Sequence, residues 1–137
     1  MYTLEQFQKR GEGYLPGFLG VEIIAVEPKR VVARLELRGE HLAPNGFLHA
    51  ASVVALADTA CGYGCIATLP EGATSFTTIE LKTNFLGTTR AGGIRVEAKL
   101  VHGGRTTQVW DATVTDQAND RVIALFRCTQ MILYPRA

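Results

Sequence analysis

His49 to Leu69 reads HAASVVALADTACGYGCIATL, and the fold turns on this stretch. Nearly every position is small or apolar, so a helix built on it offers water no polar face. It belongs inside the protein, with sheet around most of its circumference. Turn-forming residues bracket it, Pro44-Asn45-Gly46 upstream and Pro70-Glu71-Gly72 downstream. One carboxylate, Asp58, and two glycines, Gly62 and Gly64, interrupt the run near its middle and argue against a membrane span.

Working outward from the helix, the upstream side alternates. Val31, Ala33, Leu35 and Leu37 fall on one face of a strand, and Arg30, Arg34, Glu36 and Arg38 on the other. Val21 to Glu27 is its hairpin partner across Glu27-Pro28-Lys29-Arg30, where the proline sits at a position that owes no ladder N–H. Before both, Thr3 to Gln8 reads as a short amphipathic helix with Thr3 at its N-cap and Gln6 three residues on, stopped by Gly11 and Gly13. Downstream, four more strands are expected at Ser75 to Leu86, Gly93 to Val101, Thr106 to Asp116 and Arg121 to Leu133, joined by turns such as Gly103-Gly104 and Asn119-Asp120. The order of elements predicts an α+β fold, an antiparallel sheet of five to six strands wrapped around one long central helix, with residues 1–137 forming one domain.

Composition removes several functions. The 137 residues are 47% apolar, enough for a core without metal or disulfide staples. Fourteen basic and 13 acidic side chains, spread along the whole chain for a net charge of +1, leave no basic stripe for nucleic acid. The start, MYTLEQFQKR, has no apolar signal region, so a cytoplasmic protein that neither enters nor crosses a membrane is expected. Cys61, Cys65 and Cys128 sit in apolar segments and read as buried thiols in a reducing compartment. Neither they nor His41, His49 and His102 have ligand spacing, so no metal is expected.

The chemistry concentrates on the central helix. Asp58 is its one formally charged side chain, flanked by Val54, Ala55, Leu56, Ala57, Ala60 and Cys61. Burying a carboxylate there costs several kcal/mol, on the order of 3–5, unless it is bonded or meets a cavity. It is therefore either a structural carboxylate tied to a neighbouring strand or a reactive one. Gly62 and Gly64, each costing about 1 kcal/mol against Ala in a helix, imply close approach of another backbone, a side chain or a ligand. At the helix start, Ala50 and Ala51 carry N–H groups without intrahelical acceptors at the positive end of the dipole, suited to polarising a carbonyl. His49 beside them either donates to a substrate carbonyl or shapes the loop.

The run Asn45-Gly46-Phe47-Leu48-His49-Ala50-Ala51-Ser52, then Leu56-Ala57-Asp58-Thr59-Ala60, resembles the hotdog-fold acyl-CoA thioesterases of the phenylacetate-degradation type. Thr78-Ile79-Glu80-Leu81-Lys82-Thr83-Asn84-Phe85-Leu86 resembles their strand after the helix, and the nine-residue step from His49 to Asp58 matches the family's histidine-to-carboxylate spacing. The resemblance implies that Asp58 acts as nucleophile or general base on a thioester and that the N–H of Ala50 polarises its carbonyl. It implies a hydroxyl near the carboxylate, supplied by Thr78, or by Thr77 if the register shifts by one. His49 belongs to the same catalytic group. Asn45, Gly46, Ala51, Arg90 and Arg105 are the expected substrate contacts, the arginines toward the phosphates of coenzyme A. No cofactor is implied beyond the coenzyme A of the substrate. The implied partner is a second copy of the chain, in a homodimer or homotetramer with active sites between subunits.

The chain departs from the family twice. Ala50 and Ala51 stand where two glycines are usual, which keeps the N–H groups and adds methyls. Ala43 stands where an Asn or Gln is usual, six residues before the histidine, and removes an amide that positions water or substrate; Asn45 is the nearest substitute. The second reading is a non-catalytic acyl-CoA-binding or sensing protein. A hydratase or dehydratase is disfavoured because those relatives carry a His five residues after the Asp, where this chain has Tyr63. Phe47, Tyr63 and Phe76 would suit an aromatic or medium-length acyl group.

Overall fold

A computed structural model describes residues 2–136. Two short helices lead, α1 (Leu4–Arg10) and α2 (Leu15–Leu19), followed by the hairpin β1 (Glu22–Glu27) and β2 (Arg30–Glu36). The long helix α3 (Ala50–Ala67) comes next, then β3 (Ser75–Phe85), β4 (Gly93–Gly103), β5 (Thr107–Asp116) and β6 (Val122–Leu133). The six strands form one antiparallel sheet in the order β1-β2-β4-β5-β6-β3. After α3 the chain lays β3 at the far edge, and β4 returns to pair with β2. This is the expected α+β hotdog arrangement, with six strands.

The alternation read from sequence sets the layers. Val31, Ala33 and Leu35 of β2, Ile94, Val96 and Ala98 of β4, Trp110, Ala112 and Val114 of β5, and Ala124, Phe126 and Cys128 of β6 are all buried in one core with Leu56, Ala57, Ala60 and Cys61 of α3. Arg30, Glu97 and Lys99 occupy the other face in an ion-pair cluster. α1 carries the full capping box between Thr3 and Gln6 and ends at Gly11. The turn at Pro28-Lys29 closes with Lys29 at φ 64°.

Two features differ from expectation. α2 was not foreseen, because five residues starting Leu15-Pro16 are too few to show a helical period. The sheet also covers α3 on one side only. Ala51 is exposed, and Ala55, Asp58 and Thr59 are partly exposed, a stripe at helical spacing that no element among the described residues buries. The same open surface continues onto the inner face of β3, where Leu81 and Phe85 are 41% and 48% exposed although their ladder partners Cys128 and Ala124 are buried. By length and composition α3 could cross a membrane, but over half of it is buried within the fold.

Candidate functional site

Asp58 projects from the open stripe of α3 toward β3. The Thr78 hydroxyl lies 2.9 Å from its Oδ1 and 2.8 Å from Oε1 of Gln130 on β6. β3 reaches that register through a bulge at Ile79: Thr78 pairs with the buried Gln130, and Glu80 with Thr129. Thr77, one residue earlier, pairs with the exposed Met131 on the outer face, so the hydroxyl at Asp58 is that of Thr78. Burial pushes the Asp58 carboxyl above its ordinary value, and the hydrogen bond from Thr78 pulls it partly back.

The two glycines beyond Asp58 are packing sites for strand aromatics. A Cβ on Gly62 would sit 2.7 Å from the tip of the Phe76 ring, and one on Gly64 would sit 2.4 Å from the Trp110 ring. Tyr63 stacks on Phe7 of α1 with ring centroids 5.4 Å apart, which places it under the N-terminal helices rather than in an acyl site. The three cysteines are buried and unpaired.

The start of α3 is fixed by a small scaffold. His49 is the N-cap, and its Nδ1 accepts the Ala51 N–H at 2.9 Å, so the ring is the neutral Nε2–H tautomer with that proton free to donate. His41, fully buried, accepts the Arg38 N–H at Nδ1 and lies 2.8 Å through Nε2 from the Leu19 carbonyl. Its own carbonyl takes the Ser52 hydroxyl at 2.8 Å and the His49 N–H at 3.1 Å. With Ala51 committed to His49, Ala50 presents the N–H without an acceptor among the described residues.

Ala50 and Asp58 are eight residues apart on one helix, about 12 Å along its axis. Within one chain they do not reach the same carbonyl. Gly46, at φ 87°, closes a tight loop in which Ala43 and Phe47 pair and the Asn45 side chain accepts the Phe47 N–H at 3.1 Å. That bond holds the Asn45 side chain in the turn through its Oδ1. Arg90 lies over the Phe47 ring, 4.5 Å from its centroid, and the Leu48 N–H donates to Thr88, so the β3–β4 loop sits beside the α3 start. Arg105 lies over Tyr134 at 5.9 Å. The two arginines flank opposite ends of β4, whose eleven residues span roughly 33 Å, and one chain does not bring them together.

A groove between α2 and the first turns of α3 is lined by Leu15, Leu19, Ala51, Ser52 and Ala55, with Glu40 and His49. Sequence reading missed Leu15 and Leu19, since α2 itself was not visible. It also missed Gln130, an inward position on β6 whose only signal is a polar residue where the alternation calls for an apolar one.

The family model of the Thioesterase superfamily matches residues 45–123, the segment from the Gly46 loop to the first residues of β6. A 1,4-dihydroxy-2-naphthoyl-CoA hydrolase of Listeria monocytogenes is 32% identical over 81% of this chain and 89% of its own length. An Escherichia coli protein of the same name is 29% identical over 96% and 95%. The crystal structure of a thioesterase from Haemophilus influenzae superposes with a TM-score of 0.91 at 25% identity, covering 98% of this chain and 92% of that one.

Proposed function

Because the chain belongs to the thioesterase superfamily, a family of thioester hydrolases, we propose that it hydrolyses an aromatic or medium-chain acyl-CoA to the free acid and coenzyme A at a site built around Asp58. The observation that carries this reading is the half-buried carboxylate on an otherwise apolar helix, bonded to Thr78 and facing an uncovered surface. The aromatic preference is supported by the relatives named as dihydroxynaphthoyl-CoA hydrolases.

The separation of Ala50 from Asp58 requires two copies. Positions 50 and 58 are symmetric about Val54, so two α3 helices packed antiparallel with a two-fold axis at Val54 set Ala50 of the partner subunit opposite Asp58. The small side chains of Ala51 and Ala55 allow that approach. The exposed edge of β3, with Leu81 and Phe85 on its inner face, lies alongside and calls for cover. The assembly is a homodimer, or a homotetramer of such pairs.

In this site the thioester oxygen accepts the partner's Ala50 N–H, at the positive end of the partner helix. Asp58 either attacks the carbonyl carbon directly or takes a proton from water as the water oxygen attacks. In both routes the C–S bond breaks and the sulfur leaves as the thiolate of coenzyme A, which takes up a proton; on the direct route water then cleaves the acyl–Asp58 anhydride, releasing the acid and restoring the carboxylate. Burial, by raising the Asp58 proton affinity, makes it the stronger base. The free Nε2–H of His49 and the Gly46 loop border the carbonyl end. Arg90 stands near that end, and the antiparallel pairing carries Arg105 of the partner subunit toward it, so both reach for coenzyme A phosphates. The buried, unpaired thiols suit a cytoplasmic enzyme.

The test is free-thiol release from benzoyl-CoA and a series of straight-chain acyl-CoAs, with sedimentation to give the assembly. Release that is fastest for aromatic or medium chains, from a dimer or tetramer, is the expected result. Saturable acyl-CoA binding with no thiol release would replace this reading with the acyl-CoA-binding one.

A further inference from the structure

Gln130 is fully buried on β6 and is linked to the Asp58 carboxylate by two hydrogen bonds through the Thr78 hydroxyl. Buried carboxamides persist where their polar atoms are bonded. Its neighbour across the sheet, Gln108 of β5, has a structural use: Oε1 accepts the Trp110 indole N–H at 2.8 Å and Nε2 donates to the Thr68 carbonyl at the end of α3. Gln130 has no such task. Its Oε1 lies 2.8 Å from the Thr78 hydroxyl and its Nε2 3.4 Å from the Cys128 sulfur.

The Thr78 hydroxyl has one proton and two oxygen neighbours, Asp58 Oδ1 and Gln130 Oε1. It cannot donate to both. Two proton arrangements give every one of these heavy atoms a hydrogen-bond partner. With Asp58 protonated, the carboxyl O–H donates to Thr78 Oγ1, Thr78 donates to Gln130 Oε1, and Nε2 faces the sulfur. With Asp58 ionised, Thr78 donates to the carboxylate. Gln130 then turns its amide by a half-turn, so that Nε2–H donates to Thr78 and Oε1 meets the Cys128 S–H. A thiol suits both, being a weak donor and a weak acceptor.

We propose that Gln130 is a positioning residue, which turns the Thr78 hydroxyl toward or away from Asp58 in step with the proton on that carboxyl. The proposal rests on the reading of Asp58 as the hydrolytic group. The two states differ by one proton on Asp58 and a rotation of one amide, and in both the Gln130 oxygen, the Gln130 nitrogen and the Thr78 hydroxyl each keep a partner. Asp58 can therefore gain and lose a proton during turnover without disrupting its support. The other titratable groups that bear on this chain are Cys61, one turn beyond Asp58 and held protonated by burial, Cys128 of β6, with which it interacts, and Asp111 of β5, whose charge also acts on Cys61.

The test is a double-mutant cycle with benzoyl-CoA and octanoyl-CoA. Gln130→Met keeps length and apolar bulk and removes the amide; Thr78→Val keeps shape and removes the hydroxyl. Expected is a fall in kcat of about tenfold for Gln130→Met with KM within about twofold, and no further fall when it is added to Thr78→Val. An equal fall in both backgrounds, or wild-type kcat in Gln130→Met, overturns the proposal. A second measurement needs neither substrate nor a buried substitution. In the wild type the Gln130 side-chain amide NMR signals should shift with the same midpoint as the Asp58 carboxyl carbon, and flat signals through that titration overturn it. Full activity in Asp58→Asn would instead remove the hydrolytic reading, whatever the cycle showed.

Discussion

Gly64→Ala tests how tightly α3 is seated on the sheet. The added methyl would lie 2.4, 2.7 and 2.9 Å from three atoms of the Trp110 ring. Ordinary carbon contacts are about 3.5–4.0 Å, so ring and helix must part by roughly 1 Å. Trp110 is fully buried, and its N–H is held by Gln108, which in turn caps the Thr68 carbonyl, so moving the ring strains the end of α3 as well. Overpacking of this kind costs about 1–3 kcal/mol, and a pinned ring places it at the upper end. Alanine returns about 1 kcal/mol of helix propensity. The net loss is about 2 kcal/mol, a fall in Tm of roughly 5–10 °C for a chain of this size. Gly62→Ala is the control, because only one atom of Phe76 comes within 3.0 Å and that ring is partly exposed and can swing away; its net effect is within about 0.5 kcal/mol of zero. Urea or thermal unfolding at one fixed protein concentration reads both. Gly64→Ala as stable as the wild type, or no worse than Gly62→Ala, would refute the packing argument.

Three further outcomes follow from the site. Thr78→Val removes the bond that holds the Asp58 proton affinity down, so the acid limb of the kcat/KM profile should move to higher pH, and an unmoved limb would separate Thr78 from the reacting carboxyl. Because burial raises the Asp58 pKa in the folded state, native stability falls as pH climbs from the ordinary carboxylate value through the folded one, and the penalty persists above it. Asp58→Asn should thus melt higher than wild type at pH 7, with the gap closing below about pH 4; a constant gap would contradict this. Ala55→Arg, on the open stripe next to the inferred two-fold axis, should shift the assembly to monomers and lower thiol release at least tenfold, both read on one sample by sedimentation and assay; an active monomer would refute the shared site.

The fold was legible because its signals were redundant. Strict alternation at Val31 to Leu37 and Ile94 to Leu100, a helix without a polar face, and turn residues at each junction all agreed, and the strand limits fell within two residues of those observed. The Thr3 cap was readable for the same reason, a local bond with a local signature. What stayed hidden depended on distant partners. Gly62 and Gly64 advertised a close approach without naming Phe76 and Trp110, since those rings arrive from β3 and β5. The choice between Thr78 and Thr77 hung on a bulge at Ile79 that no residue type announces. Asp58 stood out by its surroundings, whereas Gln130, also set in an apolar pattern, carried no charge to draw notice. The helix was expected to be enclosed, and its open stripe records a surface that a single chain does not cover.

The most direct test of the account is thiol release at pH 7 by the wild type and by Asp58→Asn, on samples matched for folding and assembly. Asparagine keeps the size and can still bond Thr78, but it can neither attack nor take a proton. A loss of at least about a hundredfold in kcat, with the assembly unchanged, is predicted. Turnover within about threefold of wild type would contradict the claim that Asp58 drives the hydrolysis.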